Sequence, residues 1–257
     1  MYKYETGFKA RTWFMAAVLA ALMAGCGGDE IFGTTGGAAG GFGVASCAGP
    51  GPVDMGAAAN FGVLVGPAGG ATLTCALPLT VNGDIGAASQ SCIPTQGVGF
   101  NNYTGVDPQF VAAKAAMLTA VACAEGRACN FNYAGATDLA TVGALAPGVH
   151  CVVGGMSVGS NLTLSTPGVY LFRSSGNLTT AATITLGFGG TANATNTSVF
   201  WVPQGLASIG ANNNFIGTIM PGSSAASTLG ANTTLAPGRV FSDSDVTIGG
   251  TSIVTIP

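Results

Sequence analysis

Charge is what this chain has least of. Of its 257 residues only 7% are Asp, Glu, Lys or Arg, against about a quarter in ordinary globular proteins. Beyond the first 25 residues the only basic side chains are Lys114, Arg127, Arg173 and Arg239. Four scattered cations cannot line a phosphate backbone, which excludes nucleic acid as a partner. The single histidine, His150, must serve any Ser–His–Asp or Cys–His site the chain is to have. The cysteines contain no C-x-x-C pair and have no histidines to join them, so a structural zinc site is excluded. Acids are few and dispersed. Asp243 and Asp245 share one side of a strand-like stretch, where a paired-acid site, a calcium pair and two solvated acids near a corner are all conceivable; the solvated pair is the reading adopted. Gly187-Phe188-Gly189-Gly190 has neither the lysine nor the helix that a phosphate loop needs. No catalytic residue, metal or cofactor is expected.

What the chain has in quantity is glycine, 42 residues, with 48% apolar residues and a mean hydropathy of +0.51. Val, Ile and Leu alternate with Thr and Asn, the pattern of half-buried strands rather than of disorder. One phrase recurs: Ser157-Val-Gly-Ser-Asn161, Ser208-Ile-Gly-Ala-Asn212, Thr228-Leu-Gly-Ala-Asn232 and Thr247-Ile-Gly-Gly-Thr251. Gly210, Gly230 and Gly249 are 20 and 19 residues apart. Such a period predicts an all-β-dominated β-solenoid. Stacking the phrases would place Ser208, Asn212, Asn214, Thr228, Asn232, Thr234, Thr247 and Thr251 on one outer face. Equivalent residues would then lie about 4.8 Å apart. That face either holds water in a regular layer or merely solvates a sheet, and chemistry alone does not choose. A second repeat, Pro147-Gly-Val-His150 and Pro167-Gly-Val-Tyr170, gives His150 the place of a tyrosine one coil on and argues for a structural role.

The N-terminus reads as an export signal. Lys3, Lys9 and Arg11 precede an apolar run from Trp13 to Ala24 that is short for a membrane span. Leu22-Met-Ala-Gly-Cys26 resembles a bacterial lipobox, so residues 1–25 are expected to be a lipoprotein signal peptide and Cys26 the lipidated residue. Residues 26–52 form a Gly-rich tether, and the folded domain spans 53–257. A helix is predicted over 107–125, with Asp107 as N-cap, Pro108 at the first position and Gly126 as stop. Six further cysteines, Cys47, Cys75, Cys92, Cys123, Cys129 and Cys151, suit disulfides in an exported protein. Of fifteen connectivities, the short Cys123–Cys129 loop is the single pairing expected.

Several segments resemble the microbial ice-binding proteins. They are Ala59-Asn-Phe-Gly-Val-Leu64, Val81-Asn-Gly-Asp-Ile-Gly86, Pro167-Gly-Val-Tyr170, Val199-Phe-Trp201, Gly217-Thr-Ile219, Gly238-Arg239 and Val246-Thr247, in the family's order over residues 57–257. The resemblance implies a discontinuous, right-handed β-solenoid of triangular section with the helix alongside. It also implies adsorption to ice through a flat Thr/Ser/Asn-rich face, which arrests ice growth and recrystallisation without catalysis or cofactor. The chain departs from the family in a short stretch between Tyr170 and Trp201, in its extra cysteines and in an insertion at 92–103. The expectation is a monomeric protein of the cell envelope, surface-exposed or secreted, with ice as its partner and a lipid anchor in the membrane. A surface adhesin or envelope solenoid that binds glycan or protein is the alternative.

Overall fold

In the computed structural model, which describes Cys47, residues 49–66 and residues 70–257, the short β-branched runs become parallel strands stacked coil upon coil. All the strand pairings are parallel, in sheets of twelve, eight and two strands. The expected signal peptide and lipidated Cys26 lie outside the described residues, as does most of the expected tether. The described part belongs to one compact unit, Val44–Pro257.

Successive coils contribute strands to three ladders. The first, on the helix side, runs through Phe131–Tyr133, Gly148–Val152, Gly168–Ser174 and Thr197–Pro203 to Phe61–Val65 and Asp84–Gly86. The second is the eight-stranded sheet, from Thr137–Asp138 through Met156–Val158, Leu178–Thr180, Ala207–Ile209, Ser227–Leu229, Val246–Ile248 and Thr72–Cys75 to Ser89–Gln90. The third takes the starts of Asn214–Ile219 and Thr234–Ser242, then Ser252–Thr255, Leu79–Asn82 and Thr95–Gln96. Leu162–Leu164 and Leu186–Phe188 continue it as a separate pair.

Chain order and spatial order part company once. The last coil stacks on the first: Val246 lies opposite Leu73, and Ser252 opposite Leu79. Residues 92–103, the expected insertion, supply strands at that end of the stack. The chain then returns through helix α1, Pro108–Gly126, and builds coils back toward its own beginning.

Two hydrophobic clusters explain the burial pattern. Inward residues of all three ladders, among them Leu73, Tyr170, Trp201, Phe215, Leu229 and Val254, form the inner core. The opposite surface of the helix-side ladder, through Phe61, Leu64, Leu171, Phe200 and Phe241, packs on Phe110, Ala113, Met117, Ala120 and Val121 of α1. Strands of that ladder are therefore buried on both faces and read as unbroken apolar runs, whereas the eight-stranded sheet alternates buried and exposed. Alanine lets α1 lie close, and Lys114 folds its ammonium over the Phe110 ring at 4.4 Å. Asp107 stands at the N-cap position but does not cap; its carboxylate accepts from the Thr104 backbone N–H at 3.1 Å instead.

The repeated glycines are required by stacking. A Cβ on Gly210 would come within 2.6 Å of the Ala181 carbonyl oxygen, and one on Gly230 within 2.5 Å of the Ala211 nitrogen. The left-handed turn itself falls two residues later, at Asn212 (φ 59°), Asn232 (φ 57°) and Thr251 (φ 61°). Asparagine tolerates that conformation better than most residues.

The disulfides are Cys47–Cys123, Cys75–Cys92 and Cys129–Cys151, so the expected Cys123–Cys129 link is corrected. The chain leaves α1 in an extended conformation at Arg127 and carries Cys129 to the strand Phe131–Tyr133. There Asn132 pairs with Cys151, which brings the Cys129 and Cys151 Cα atoms to 5.8 Å. Cys123 instead holds the leading segment. Arg127 holds the same segment, donating to the carbonyls of Cys47, Gly51 and Pro52.

Candidate functional site

In each Met156–Val158-type strand the flanking residues point into the core and the middle one points out. Register carries these middle residues into one continuous row. Asp138 lies beside Ser157, Ser157 beside Thr179, and Thr179 beside Ser208. Ser208 then neighbours Thr228, Thr228 neighbours Thr247, and Thr247 neighbours Thr74. Six consecutive hydroxyl residues result, about 4.8 Å apart and so about 24 Å end to end. Ser157 is half-buried and the other five are exposed.

The positions beside this row keep it low. Two residues further along each strand stand Gly159, Ala181, Gly210, Gly230, Gly249 and Ala76. On the other side stand Gly155, Asn177, Leu206, Ala226, Asp245 and Thr72. Leu206, 52% exposed, is the bulkiest of these. Asp138 and Asp245 are the charged residues in the three rows, and both carboxylates are engaged by backbone. Asp138 accepts from the N–H of Ala140 and of Gly159, and Asp245 from that of Thr72 at 2.8 Å. At the Asp138 end the surface sinks into an open hollow of about 530 Å³ that Ser157 and Thr179 help to line, so the row beyond the hollow runs from Ser208 to Thr74.

The eight sequence-predicted residues do not form one grid. Ser208, Thr228 and Thr247 lie in the hydroxyl row. Asn212, Asn232 and Thr251 occupy the left-handed corner that follows, and Asn214 and Thr234 begin strands of the third ladder. The turn between them carries the chain from one sheet to the next, which a linear period does not reveal. The row also takes in Thr74, Ser157 and Thr179, which are not among the eight. Ser157 was visible in the recurring phrase itself. Thr179 is followed by Ala181 where later coils have glycine, and Thr74 joins the row only because the first coil stacks on the last.

His150 is structural. It is 1% exposed, its Nε2 donates to the Ala146 carbonyl and its Nδ1 accepts from the Tyr133 hydroxyl, both at 2.9 Å. Burial lowers its pKa below the ordinary value. Tyr170 likewise donates to the carbonyl four residues back, that of Thr166. The two motifs are thus equivalent locally but not in register: His150 lies opposite Phe172, and Tyr170 opposite Gly148. Asp243 and Asp245 are not a working pair, since Asp245 binds backbone while Asp243 Oδ1 is buried without a partner among the described residues. Among the described residues no three His, Cys, Asp or Glu side chains converge as metal ligands. Arg239 is held by the Ala59 carbonyl, and burial pulls its pKa down to about 10.

The fold has close relatives among solved structures. An ice-binding protein from an Antarctic biological consortium aligns with a TM-score of 0.67 at 21% identity, over 80% of this chain and 91% of that one. An ice-binding protein from the ascomycete Antarctomyces psychrotrophicus aligns with a TM-score of 0.67 at 22% identity, over 80% and 98%. The domain of Shewanella frigidimarina ice-binding protein 1 aligns with a TM-score of 0.60 at 20% identity, over 80% and 98%. No curated protein sequence matches the chain. The family model described as ice-binding-like matches residues 43–254, and with nearly the whole folded unit covered, the chain belongs to that family.

Proposed function

We propose that this chain is a non-catalytic ice-binding protein that adsorbs to ice through the outer surface of its eight-stranded sheet. The observation that carries the reading is the unbroken row Ser157–Thr179–Ser208–Thr228–Thr247–Thr74. Each Thr offers a methyl and a hydroxyl on a rigid backbone, and the glycine or alanine along one side of the row leaves room for a lattice of water. Because the groups are already ordered, little side-chain entropy is lost when a crystal is met. Engaged carboxylates leave the water above the row largely free of disordering charge.

The regularity of this sheet favours it over the third ladder. The latter carries a register shift between Phe215 and Gly217 and breaks into a separate two-stranded piece. We take the three ladders around one inner core to form a right-handed solenoid of triangular section, as the family resemblance implies. We further propose that the protein is exported and anchored through a lipid on Cys26, with the tether giving its monomeric domain freedom to meet ice. The test is thermal hysteresis and ice recrystallisation with purified protein at tens of micromolar, about 10⁻⁵ M, where contacts of modest affinity register. Arrested recrystallisation is expected; crystals that coarsen as in buffer would refute the proposal.

A further inference from the structure

Across the corner at Asn212, Asn232 and Thr251, the third ladder carries an outward row of its own. Thr185 bridges to Asn214, Asn214 pairs with Thr234, and Thr234 with Ile253. Ile253 pairs with Thr80, and Thr80 with Thr95. Five of the six end in a hydroxyl or carboxamide, and none is charged. Residues two positions to either side, from Thr183 and Asn212 to Thr255 and Asn82, are uncharged as well.

This surface is held rigid by its own side chains. Asn232 donates to the Oδ1 of Asn212 at 2.9 Å, and Asn82 donates to the Thr255 hydroxyl at 3.0 Å. Both rows share the coil-to-coil repeat along the stack, because every pairing is parallel. Across the stack they differ. The first row is made of hydroxyls alone and has only glycine and alanine along one side, whereas the second mixes carboxamides and hydroxyls with the apolar Ile253, 42% exposed. They also belong to sheets separated by a left-handed turn, so one flat crystal facet cannot meet both.

We propose that the third ladder's Thr/Asn row is a second ice-contact surface that takes a different crystal plane from the first. The proposal rests on the ice-binding reading above. A common axial repeat with different transverse neighbours is what two planes sharing one crystal axis would demand.

The experiment adsorbs protein labelled at Lys114, the only lysine beyond residue 25, to a single-crystal ice hemisphere. Wild type should stain two sets of planes. Thr228→Tyr should lose one set, and Asn214→Tyr the other. Thr95→Tyr, on the same second row but in another coil, should behave as Asn214→Tyr does, with circular dichroism reporting retained structure in each. If both third-ladder variants stain as wild type, or if Thr228→Tyr alone removes all staining, the second surface is overturned while ice binding stands. An unstained hemisphere with wild type overturns both.

Discussion

Asn232 donates its side-chain amide to the Oδ1 of Asn212, its counterpart one coil away, at 2.9 Å. Both residues are left-handed, with φ of 57° and 59°, so each corner is held by a backbone conformation asparagine tolerates and by a bond to its neighbour. Replacing Asn232 with alanine removes the bond and puts a Cβ-bearing residue without a compensating amide at positive φ. The expected cost is about 1–2 kcal/mol. Asn232→Gly, which loses the bond but not the conformation, should cost less. Denaturant unfolding of the two variants against wild type checks the order.

His150 makes stability depend on pH in a definite direction. Burial lowers its folded pKa below the 6.5 of the unfolded chain. Between those two values the unfolded state binds more protons, so stability rises with pH there and is lost as acid is added below about pH 6.5. The slope cannot exceed about 1.4 kcal/mol per pH unit for one group. Unfolding midpoints between pH 7.5 and pH 5 should fall for wild type. His150→Phe, which keeps a ring in the stack between Phe131 and Phe172, should flatten that trend.

The Cys75–Cys92 bridge ties the two coils at the stack's outer end, across 17 residues. A loop of that size constrains the unfolded chain by about 3 kcal/mol. Cys92→Ser paired with Cys75→Ser should lower stability by roughly that amount, read as a shifted thermal midpoint. Ice adsorption through Thr228 and its neighbours should persist at low temperature.

Trp201 is fully buried, stacked on Phe172 at 4.4 Å, and donates its indole N–H to the Ile216 carbonyl. Trp201→Ala should cost about 3–5 kcal/mol through the cavity it leaves. Gly217→Ala should also destabilise, because its φ is 106° and a Cβ would meet the Trp201 Nε1 at 2.7 Å. Equilibrium unfolding of both variants measures this.

Local necessities were legible in the sequence, and long-range register was not. The Gly-Ala-Asn phrase announced the coils because stacking excludes a Cβ at Gly230 and the turn favours asparagine at Asn232. Pro108 and the alanines announced α1 for similarly local reasons. Nothing local states that Leu73 will lie against Val246, or that the coil from Gly148 to Tyr170 spans 22 residues rather than 20. The cysteine pairs follow from that register, which is why Cys129 finds Cys151. The same gap merged corner residues such as Asn212 with strand residues such as Ser208, since a period counts residues and does not see a turn.

The most direct test of the account is ice-affinity partitioning, the share of protein carried into a slowly growing crystal, for wild type beside Thr228→Tyr and Thr247→Tyr. Wild type should enter the ice. Each tyrosine, standing proud of a row otherwise built from Ser and Thr, should leave most of the protein in the liquid without moving the thermal midpoint. Equal partitioning of all three would contradict the assignment of this sheet as the principal ice-contact surface.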